Sequence, residues 1–325
     1  MKFDPIVLFF LLGIVAGLSK SDLKIPAAIY EALSIYLLLA IGLKGGVELS
    51  KYPLSQLVST SAVVLAVGMV IPLVAFPVLR FLGRLSHYDA ASIAAHYGSV
   101  SVVTYSVAVA TLAERDVSHD GYMVVFLALL EMPALILGVI LARLGDQREG
   151  GAGGGLAALA RIHWGRLAHE VFFGKSILLL IGGLLIGLVA GERGYEPIAP
   201  VFKEAFKGLL ALFLLEMGLV AASRIAAFRS YGAFLVGFAV VMPLLSAMLG
   251  IATARYLGFS AGNGALLATL YASASYIAAP AAMRIAVPQA NPALSIGASL
   301  GVTFPFNLFL GIPIYLWMAQ TFLPA

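Results

Sequence analysis

The sequence predicts an all-α integral membrane protein of ten transmembrane helices, arranged as a 5+5 inverted repeat with two broken helices. Three observations predict this fold. Hydrophobic residues make up 61% of the 325 residues and charged residues only 11%, a composition too apolar for a water-exposed globular surface. Apolar segments of about 20 residues, enough to cross a bilayer, recur along the chain. Two of them, one in each half, are interrupted by small and hydroxyl residues.

Charges and clusters of Pro and Gly mark the ends of the ten predicted helices. These helices lie near residues 5–19, 26–47, 54–82, 89–113, 119–145, 172–191, 200–222, 229–256, 261–287 and 292–323. We interpret the first as a short retained span, because no small-residue cleavage site follows it. A Gly-rich segment follows the fifth helix and is flexible by composition. The predicted domains are therefore a first repeat (1–145), a cytoplasmic Gly-rich linker with a basic stretch (146–171) and a second repeat (172–325).

The two halves resemble each other when the second is moved back by roughly 170 to 176 residues. The matched positions keep their order along the chain: Gly13 with Gly183, Gly42 with Gly218, and Tyr97–Ser101 with Tyr271–Ser275. Five helices per repeat is an odd number, so the second copy must enter the membrane the other way up. The sequence therefore predicts an inverted repeat.

The distribution of positive charge predicts the orientation. The side of the membrane that holds the linker carries more Lys and Arg than the side that holds both termini. Because cytoplasmic loops are enriched in these residues, we expect the linker in the cytoplasm and both termini outside. The predicted location is the cytoplasmic (inner) membrane, which the chain crosses many times.

The two interrupted helices carry the predicted anion site. Ser99 and Ser101, like Ser273 and Ser275, lie about 200° apart on an ideal helix, so no helical face presents both. Unwound backbone inside a membrane lines a cavity or is buried in protein, and paired breaks are typical of a transporter's substrate site. Freed amides and half-helix N-termini would hold a small anion there. The predicted anion-binding residues are Gly98, Ser99, Val100, Ser101, Thr104, Ala272, Ser273, Ala274 and Ser275. The alternative is that these small residues only allow close helix packing.

The charges around these breaks are consistent with symport of the anion with a cation. Neither interrupted helix has a Lys or Arg at mid-span, so helix dipoles or a co-bound cation would neutralise the anion. Proline removes a helical hydrogen bond, and we expect Pro280 to free the carbonyl of Tyr276, with Pro133 and Pro305 acting similarly in helices five and ten. The predicted sodium-binding residues are Ser101, Thr104, Ser275, Tyr276, Glu131, Thr303 and Asn307.

Two titratable residues within the predicted membrane spans, Glu131 and His96, each have two possible roles. Glu131 is an intramembrane carboxylate and therefore a functional candidate; the alternative is a structural partner for a backbone donor. His96 would relay protons or serve as a hydrogen-bonded packing residue. Both interpretations remain open for each residue.

Several function classes lack their motifs. The chain contains no cysteine, which excludes disulfides and thiol nucleophiles. It has no phosphate-binding loop, metal-ligand cluster, nucleophile constellation or basic tract with interleaved aromatics, so catalysis, ATP-driven transport and nucleic-acid binding have no support. We expect no cofactor beyond Na⁺ as coupling ion.

Four segments give the chain a resemblance to a known family over essentially its whole length. These are Ile41–Gly46, His96–Thr104, Tyr271–Pro280 and Gly301–Asn307, and together they resemble the SbtA-type sodium-dependent bicarbonate transporters. The resemblance implies a trimer in which a core domain moves against a gate domain in an elevator-like cycle driven by Na⁺. It also implies a soluble PII-like regulator that docks on the cytoplasmic side, although the linker here is short and Gly-rich.

At the breaks, the resemblance implies that amides and hydroxyls of Gly98–Thr104 and Ala272–Tyr276 bind bicarbonate, and that neighbouring carbonyl and side-chain oxygens bind Na⁺. The leading hypothesis is thus Na⁺–bicarbonate symport through a membrane-embedded homotrimer. The alternatives are a sodium-coupled carrier of another small anion or organic acid, and a passive anion channel. An intramembrane enzyme and a non-transporting sensor are weaker alternatives.

Overall fold

The computed structural model describes residues 5–50, 54–144, 165, 169, 173–225 and 232–324, and within these ranges the chain consists of helices and the turns between them. Most of the predicted linker, 146–171, lies outside the described residues. The first half contains α1 Pro5–Leu18, α2 Ala27–Leu49, α3 Leu54–Gly68, α4 Val70–Pro77, α5 His87–Gly98, α6 Val102–Glu114 and α7 Met123–Leu144. The second half contains α8 Lys175–Tyr195, α9 Phe206–Ile225, α10 Gly232–Leu257, α11 Ala261–Ala272, α12 Ala278–Ala286, α13 Pro292–Ala298, α14 Phe304–Phe306 and α15 Ile312–Phe322.

Turns of other helix types extend several of these elements. A 3₁₀ turn, Glu196–Ile198, follows α8, and π-helical turns occupy Val78–Leu82, Pro200–Glu204, Ser299–Thr303 and Asn307–Gly311. The last two π-turns lie on either side of α14, which contains Pro305. Inserted π-turns in helices are frequent at functional sites, and no sequence pattern predicts these.

Eight helical segments within the described ranges are long and apolar enough to span a membrane. They are Ala27–Leu49, Leu57–Leu82, His87–Glu114, Met123–Leu144, Lys175–Ile198, Phe206–Ser223, Gly232–Leu257 and Pro292–Phe322. The other two predicted helices fall outside this count because α1 has only 14 residues and because the ninth is divided into α11 and α12. The chain is therefore a multi-pass membrane protein.

Four helices form one group through close glycine contacts. Gly13 of α1 faces Gly218 of α9, and a Cβ added at Gly13 would lie 2.9 Å from the Gly218 Cα. Gly42 of α2 faces Gly183 of α8, and a Cβ added at Gly42 would lie 3.1 Å from the Gly183 Cα. Such small residues let helix backbones approach closely in a membrane. We call α1, α2, α8 and α9 the first helix group.

The remaining helices form the second helix group, in which α5 packs against α4 and α7, and α11 packs against α10 and α15. The amide of Ala261, at the start of α11, donates to the Pro324 carbonyl near the C-terminus at 2.8 Å. We call the side of the protein with Pro324 and loop 115–122 the termini face. The opposite side, where α7 ends and α5 begins, is the linker face.

Candidate ion-binding site

Two breaks interrupt the helices where the sequence predicts them. Residues Ser99–Ser101 are non-helical between α5 and α6, and Ser99 and Ser101 have extended backbone angles. Residues Ser273–Ile277 separate α11 from α12, and Ser273 is extended. Each break thus creates a new helix N-terminus inside the protein.

The position of α12 corrects one expectation about Pro280. Because α12 begins at Ala278, Pro280 lies in its first turn, where a backbone amide has no intrahelical acceptor. Pro280 therefore removes no helical hydrogen bond from the carbonyl of Tyr276. The expectation was wrong because the second break extends further along the chain than the alignment of the serines suggested.

The two breaks cross and hold each other through hydrogen bonds. The amide of Ser275 donates to the carbonyl oxygen of His96 at 2.8 Å. The amide of Ser101 donates to Oγ of Ser273 at 3.0 Å, and this hydroxyl donates onward to the Leu270 carbonyl at 2.8 Å. These bonds satisfy buried backbone groups that the breaks leave without helical partners, so each half of the chain fixes the break of the other.

Ser101 and Ser275 cap the two new helices. Oγ of Ser101 accepts from the amide of Thr104 at 3.2 Å, and Oγ of Ser275 accepts from the amide of Ala279 at 3.1 Å. Both serines therefore act as hydrogen-bond acceptors at a helix N-terminus. A hydroxyl also has one hydrogen to donate and a second lone pair, which these caps leave for a ligand.

A cavity of about 20 Å³ lies at the crossing, with room for about one water molecule. We call it the crossing cavity. Its polar lining comprises Ser34, Ser101, Glu131, Ser176, Ser275 and Tyr276. Ser34 and Ser176 belong to the first helix group and the others to the second, so the cavity lies at the boundary between the groups.

Both new helix N-termini point toward this cavity. Val102 and Val103, in the first turn of α6, and Ala278, in the first turn of α12, line it. First-turn amides have no intrahelical acceptors, and each helix N-terminus carries about half a positive charge. The two helix N-termini therefore make their side of the crossing cavity electropositive without any lysine or arginine among the described lining residues, and Glu131 brings a carboxyl group to the same lining.

Two buried polar atoms at the crossing cavity have no hydrogen-bond partner among the described residues. They are Oε2 of Glu131 and the hydroxyl of Tyr276, which lies close to the Ser101 side chain without forming a well-aligned hydrogen bond to it. Glu131 is only 2% exposed, and its backbone carbonyl accepts from the hydroxyl of Ser99 at 3.2 Å. Unpartnered buried polar atoms are rare, so this pair marks a place where an ion or water would complete the structure.

Five of the predicted ligands line the crossing cavity, namely Val100, Ser101, Glu131, Ser275 and Tyr276. The structure does not bring the other predicted ligands to the cavity. Ser99, Ser273 and the amide of Thr104 form the hydrogen bonds described above. Gly98 packs beside Pro72, and Ala272 and Ala274 are buried.

Thr303 and Asn307 lie behind the breaks and form hydrogen bonds with other parts of the protein. Oγ1 of Thr303 donates to the Ala239 carbonyl at 2.6 Å and lies 2.7 Å from the hydroxyl of Tyr97. Nδ2 of Asn307 donates to the Ala272 carbonyl at 3.0 Å, and Oδ1 accepts from Tyr315 at 2.7 Å. Both side chains thus position the helices that form the breaks.

Sequence reasoning missed Ser34 and Ser176. Ser34 donates to the Tyr30 carbonyl one turn earlier in α2, at 2.9 Å, which is an ordinary role for a serine within a helix. Its only sequence signal is a hydroxyl inside an apolar segment. Nothing in that signal relates it to a break in another helix.

A second cavity, of about 150 Å³, opens on the termini face. We call it the termini-face vestibule, and it is lined by both helix groups. Its basic lining comprises Lys44, His119, Lys203 and Lys207, and Lys207 pairs with Glu114 at 3.6 Å. Burial lowers the pKa of His119. The hydrogen bond to the backbone carbonyl of Asp120 opposes this lowering, and the charge of Lys44 adds to it. The positive charge of the vestibule at neutral pH therefore comes from its lysines.

Comparison with known families adds independent information. A model of the Na⁺-dependent bicarbonate transporter superfamily matches residues 5–320 of the chain. A search of curated proteins gives no match. The matched range includes both breaks, the crossing cavity and the termini-face vestibule.

Proposed function

Because the chain belongs to the Na⁺-dependent bicarbonate transporter superfamily, we propose that it moves bicarbonate together with Na⁺ across the cytoplasmic membrane. The family and the membrane-helical fold make the protein a transporter and not an enzyme. The observation that carries the symport proposal is the crossing cavity, where two helix N-termini, two capping serines and one carboxylate meet. The downhill movement of Na⁺ would drive the anion.

The anion would bind at the helix N-termini. First-turn amides of α6 and α12 and the hydroxyl hydrogens of Ser101 and Ser275 are donors suited to bicarbonate oxygens. The cavity has room for about one water molecule, which is less than the four heavy atoms of bicarbonate need. We therefore propose that the crossing widens when the anion binds.

Sodium would bind on the side of the cavity formed by Glu131 and Tyr276. Their unpartnered oxygens and the second lone pair of Ser101 Oγ are hard donors, of the kind that hard cations prefer. A Na⁺ ion about 4 Å from the anion would attract it by roughly 4 kcal/mol at an effective dielectric of about 20. Each ion would then raise the affinity for the other by around a thousandfold.

We further propose that the fold is a ten-helix inverted repeat with a moving core. The alignment of the two halves pairs Gly13 with Gly183 and Gly42 with Gly218. In the structure, Gly13 contacts Gly218 and Gly183 contacts Gly42. Replacing each glycine by its aligned partner turns one contact into the other, which agrees with a symmetric repeat. The first helix group would be the gate and the second the core. Because both the crossing cavity and the termini-face vestibule lie between these groups, an elevator-like movement of one past the other would alternate access.

The orientation and assembly remain proposals as well. The charge distribution supports a cytoplasmic linker face, which places the termini-face vestibule outside. Its lysines would raise the local concentration of bicarbonate near the crossing. A homotrimer and a PII-like regulator on the cytoplasmic side rest on the family resemblance.

Uptake of radiolabelled bicarbonate into proteoliposomes tests the proposed function. The purified protein is given an inward Na⁺ gradient or an equal K⁺ gradient, at fixed pH and membrane potential. Symport requires accumulation above equilibrium with Na⁺ and none with K⁺. Equal flux in both conditions would indicate an anion channel. Absence of flux from folded protein would reject bicarbonate and favour a sodium-coupled carrier of another small anion.

A further inference from the structure

A third cavity, of about 250 Å³, lies on the linker face and is separate from the crossing cavity. All its lining residues belong to α5, α12, α13 and the turn before α13, within the second helix group. Among them are Ser92, His96, Pro280, Arg284, Val287 and Ser295. We call it the linker-face cavity. It does not lie between the two helix groups, so it is not part of the proposed transport path.

His96 lies in the wall of this cavity and carries an unpartnered hydrogen-bond acceptor. The side chain is fully buried, and Nδ1 lies 2.7 Å from the carbonyl oxygen of Ser92. A carbonyl only accepts hydrogen bonds, so Nδ1 carries a hydrogen and Nε2 of the neutral ring has a free lone pair. Nε2 has no partner among the described residues. Among the described residues, the lining contains no Asp or Glu that would stabilise a charged ring.

Arg284 also lines this cavity and brings a permanently charged hydrogen-bond donor to it. It lies in the last turn of α12, is exposed, and forms no hydrogen bond or ion pair with any described residue. Its guanidinium group presents several donors in a fixed plane that suits oxyanions. The cavity thus combines a buried acceptor with an unpaired cationic donor.

We propose that the linker-face cavity binds a small oxyanion that carries an O–H group, such as bicarbonate or dihydrogen phosphate. Arg284 donates to the anion's oxygens, and Nε2 of His96 accepts from its O–H. Because His96 is 0% exposed, the cavity wall over the ring must open when the anion binds. Nitrate and formate have no O–H and would leave Nε2 unpaired, which a site built around a buried hydrogen bond penalises strongly. The assignment of bicarbonate as the natural occupant rests on the proposed function, whereas the site itself rests on the cavity and its two side chains.

The location of this site gives it a direct relation to the crossing. The carbonyl of His96 accepts from the amide of Ser275, while the side chain of the same residue lines the linker-face cavity. An anion bound there lies beside the residue that holds the two breaks together. Occupancy of the site would therefore depend on the anion concentration on the linker face, and a bound anion would not block the transport path.

Magnetic resonance of the full-length protein in lipid nanodiscs tests the proposal independently of transport. Histidine is labelled with ¹⁵N, and dipolar coupling is measured to ¹³C-bicarbonate or to the ³¹P of inorganic phosphate. His96→Gln identifies the His96 signal by its loss. We expect coupling between Nε2 of His96 and at least one of the two anions, and at least tenfold weaker displacement by nitrate or formate than by unlabelled bicarbonate or phosphate.

Arg284→Gln provides a variant that does not disturb the buried core, and Arg255→Gln removes an exposed arginine from the termini face as its matched control. Arg284→Gln should weaken the anion's affinity at least tenfold, while Arg255→Gln should not change it. Coupling to neither anion, or equal displacement by nitrate, would overturn the proposal. Coupling to phosphate alone supports the site with phosphate as its occupant. If the protein shows this coupling but no Na⁺-dependent uptake, the result supports the anion site and rejects the proposed function.

Discussion

On the termini face, two hydrogen bonds between Asp120 and Asn263 join the loop before α7 to the first turn of α11. Each residue donates one of the two bonds. The amide of Asp120 donates to Oδ1 of Asn263 at 2.8 Å, and Nδ2 of Asn263 donates to Oδ2 of Asp120 at 2.5 Å. On the linker face, Oδ1 of Asp89 accepts from the amide of Asn291 at 2.7 Å. Asp89 and Asn263 occupy the same place at the starts of α5 and α11, so the two broken helices are anchored alike on opposite faces.

The first prediction concerns this anchoring. Asn263→Ala should lower the free energy of unfolding by about 1–3 kcal/mol, because Asn263 is buried and its loss removes both hydrogen bonds that it forms with Asp120. The measurement is the thermal unfolding midpoint in detergent. Asn291→Ala is the control: it keeps the backbone amide that binds Asp89 and loses only the exposed cap of α13, in which Oδ1 of Asn291 accepts from the amide of Ala293 at 3.0 Å. Its effect should be smaller. Equal midpoints for wild type and Asn263→Ala would contradict the anchoring role.

The second prediction concerns the glycine contact between α2 and α8. A Cβ at Gly183 would lie 3.1 Å from the Leu39 carbonyl oxygen, whereas a Cβ at the adjacent Gly182 would contact nothing within 4 Å. Gly183→Val should therefore separate the two helices and lower the unfolding midpoint, and Gly182→Val should leave it nearly unchanged. If both variants unfold at the same temperature, the close contact does not stabilise the first helix group.

The two breaks could be predicted from the sequence because their signal is local. Serines two residues apart cannot share a helical face, and that argument needs no knowledge of neighbouring helices. The end of the second break could not be predicted in the same way. Within that break the amide of Ser275 binds the His96 carbonyl, a contact between distant parts of the chain that a local pattern does not contain. The expected effect of Pro280 is wrong because α12 begins only at Ala278.

The composition of the site was only partly predictable for the same reason. Glu131 was identified because a carboxylate inside an apolar helix is unusual. Thr303 and Asn307 are also polar side chains in an apolar helix. In the structure, however, they form hydrogen bonds with Ala239, Tyr97, Ala272 and Tyr315. Sequence alone cannot separate a polar residue that faces a cavity from one that faces another helix.

The third prediction concerns the capping serines. Ser101→Ala and Ser275→Ala should each reduce Na⁺-dependent bicarbonate uptake at least tenfold, because each removes a hydroxyl at the crossing cavity. The loss of a helix cap costs only about 1 kcal/mol of stability, so folded protein should remain in the membrane. Thr269→Val is the matched control, since Thr269 is a buried hydroxyl of α11 that binds the Ala265 carbonyl and does not line the cavity. Normal uptake by both serine variants would reject the site.

The fourth prediction concerns the termini-face vestibule. Lys44→Met should raise the KM for bicarbonate several-fold and leave kcat nearly unchanged, because it removes a charge that attracts the anion before it reaches the crossing. The difference from wild type should shrink as ionic strength rises. Lys24→Met removes an exposed lysine before α2, away from the vestibule, and should leave KM unchanged. A KM for Lys44→Met equal to that of wild type at low salt would remove the vestibule from the anion's path.

The fifth prediction concerns Glu131 and the coupling ion. Glu131→Gln keeps the shape of the side chain but removes its negative charge, so the Na⁺ concentration that gives half-maximal uptake should rise at least tenfold. Glu216→Gln is the matched control, because Glu216 also has an unpartnered Oε2 among the described residues yet lies in α9 and does not line the crossing cavity. The measurement is initial uptake as a function of Na⁺ concentration at constant ionic strength. An unchanged Na⁺ dependence in Glu131→Gln would exclude this carboxylate as a sodium ligand. Equal shifts in both variants would instead indicate a general effect of intramembrane charge.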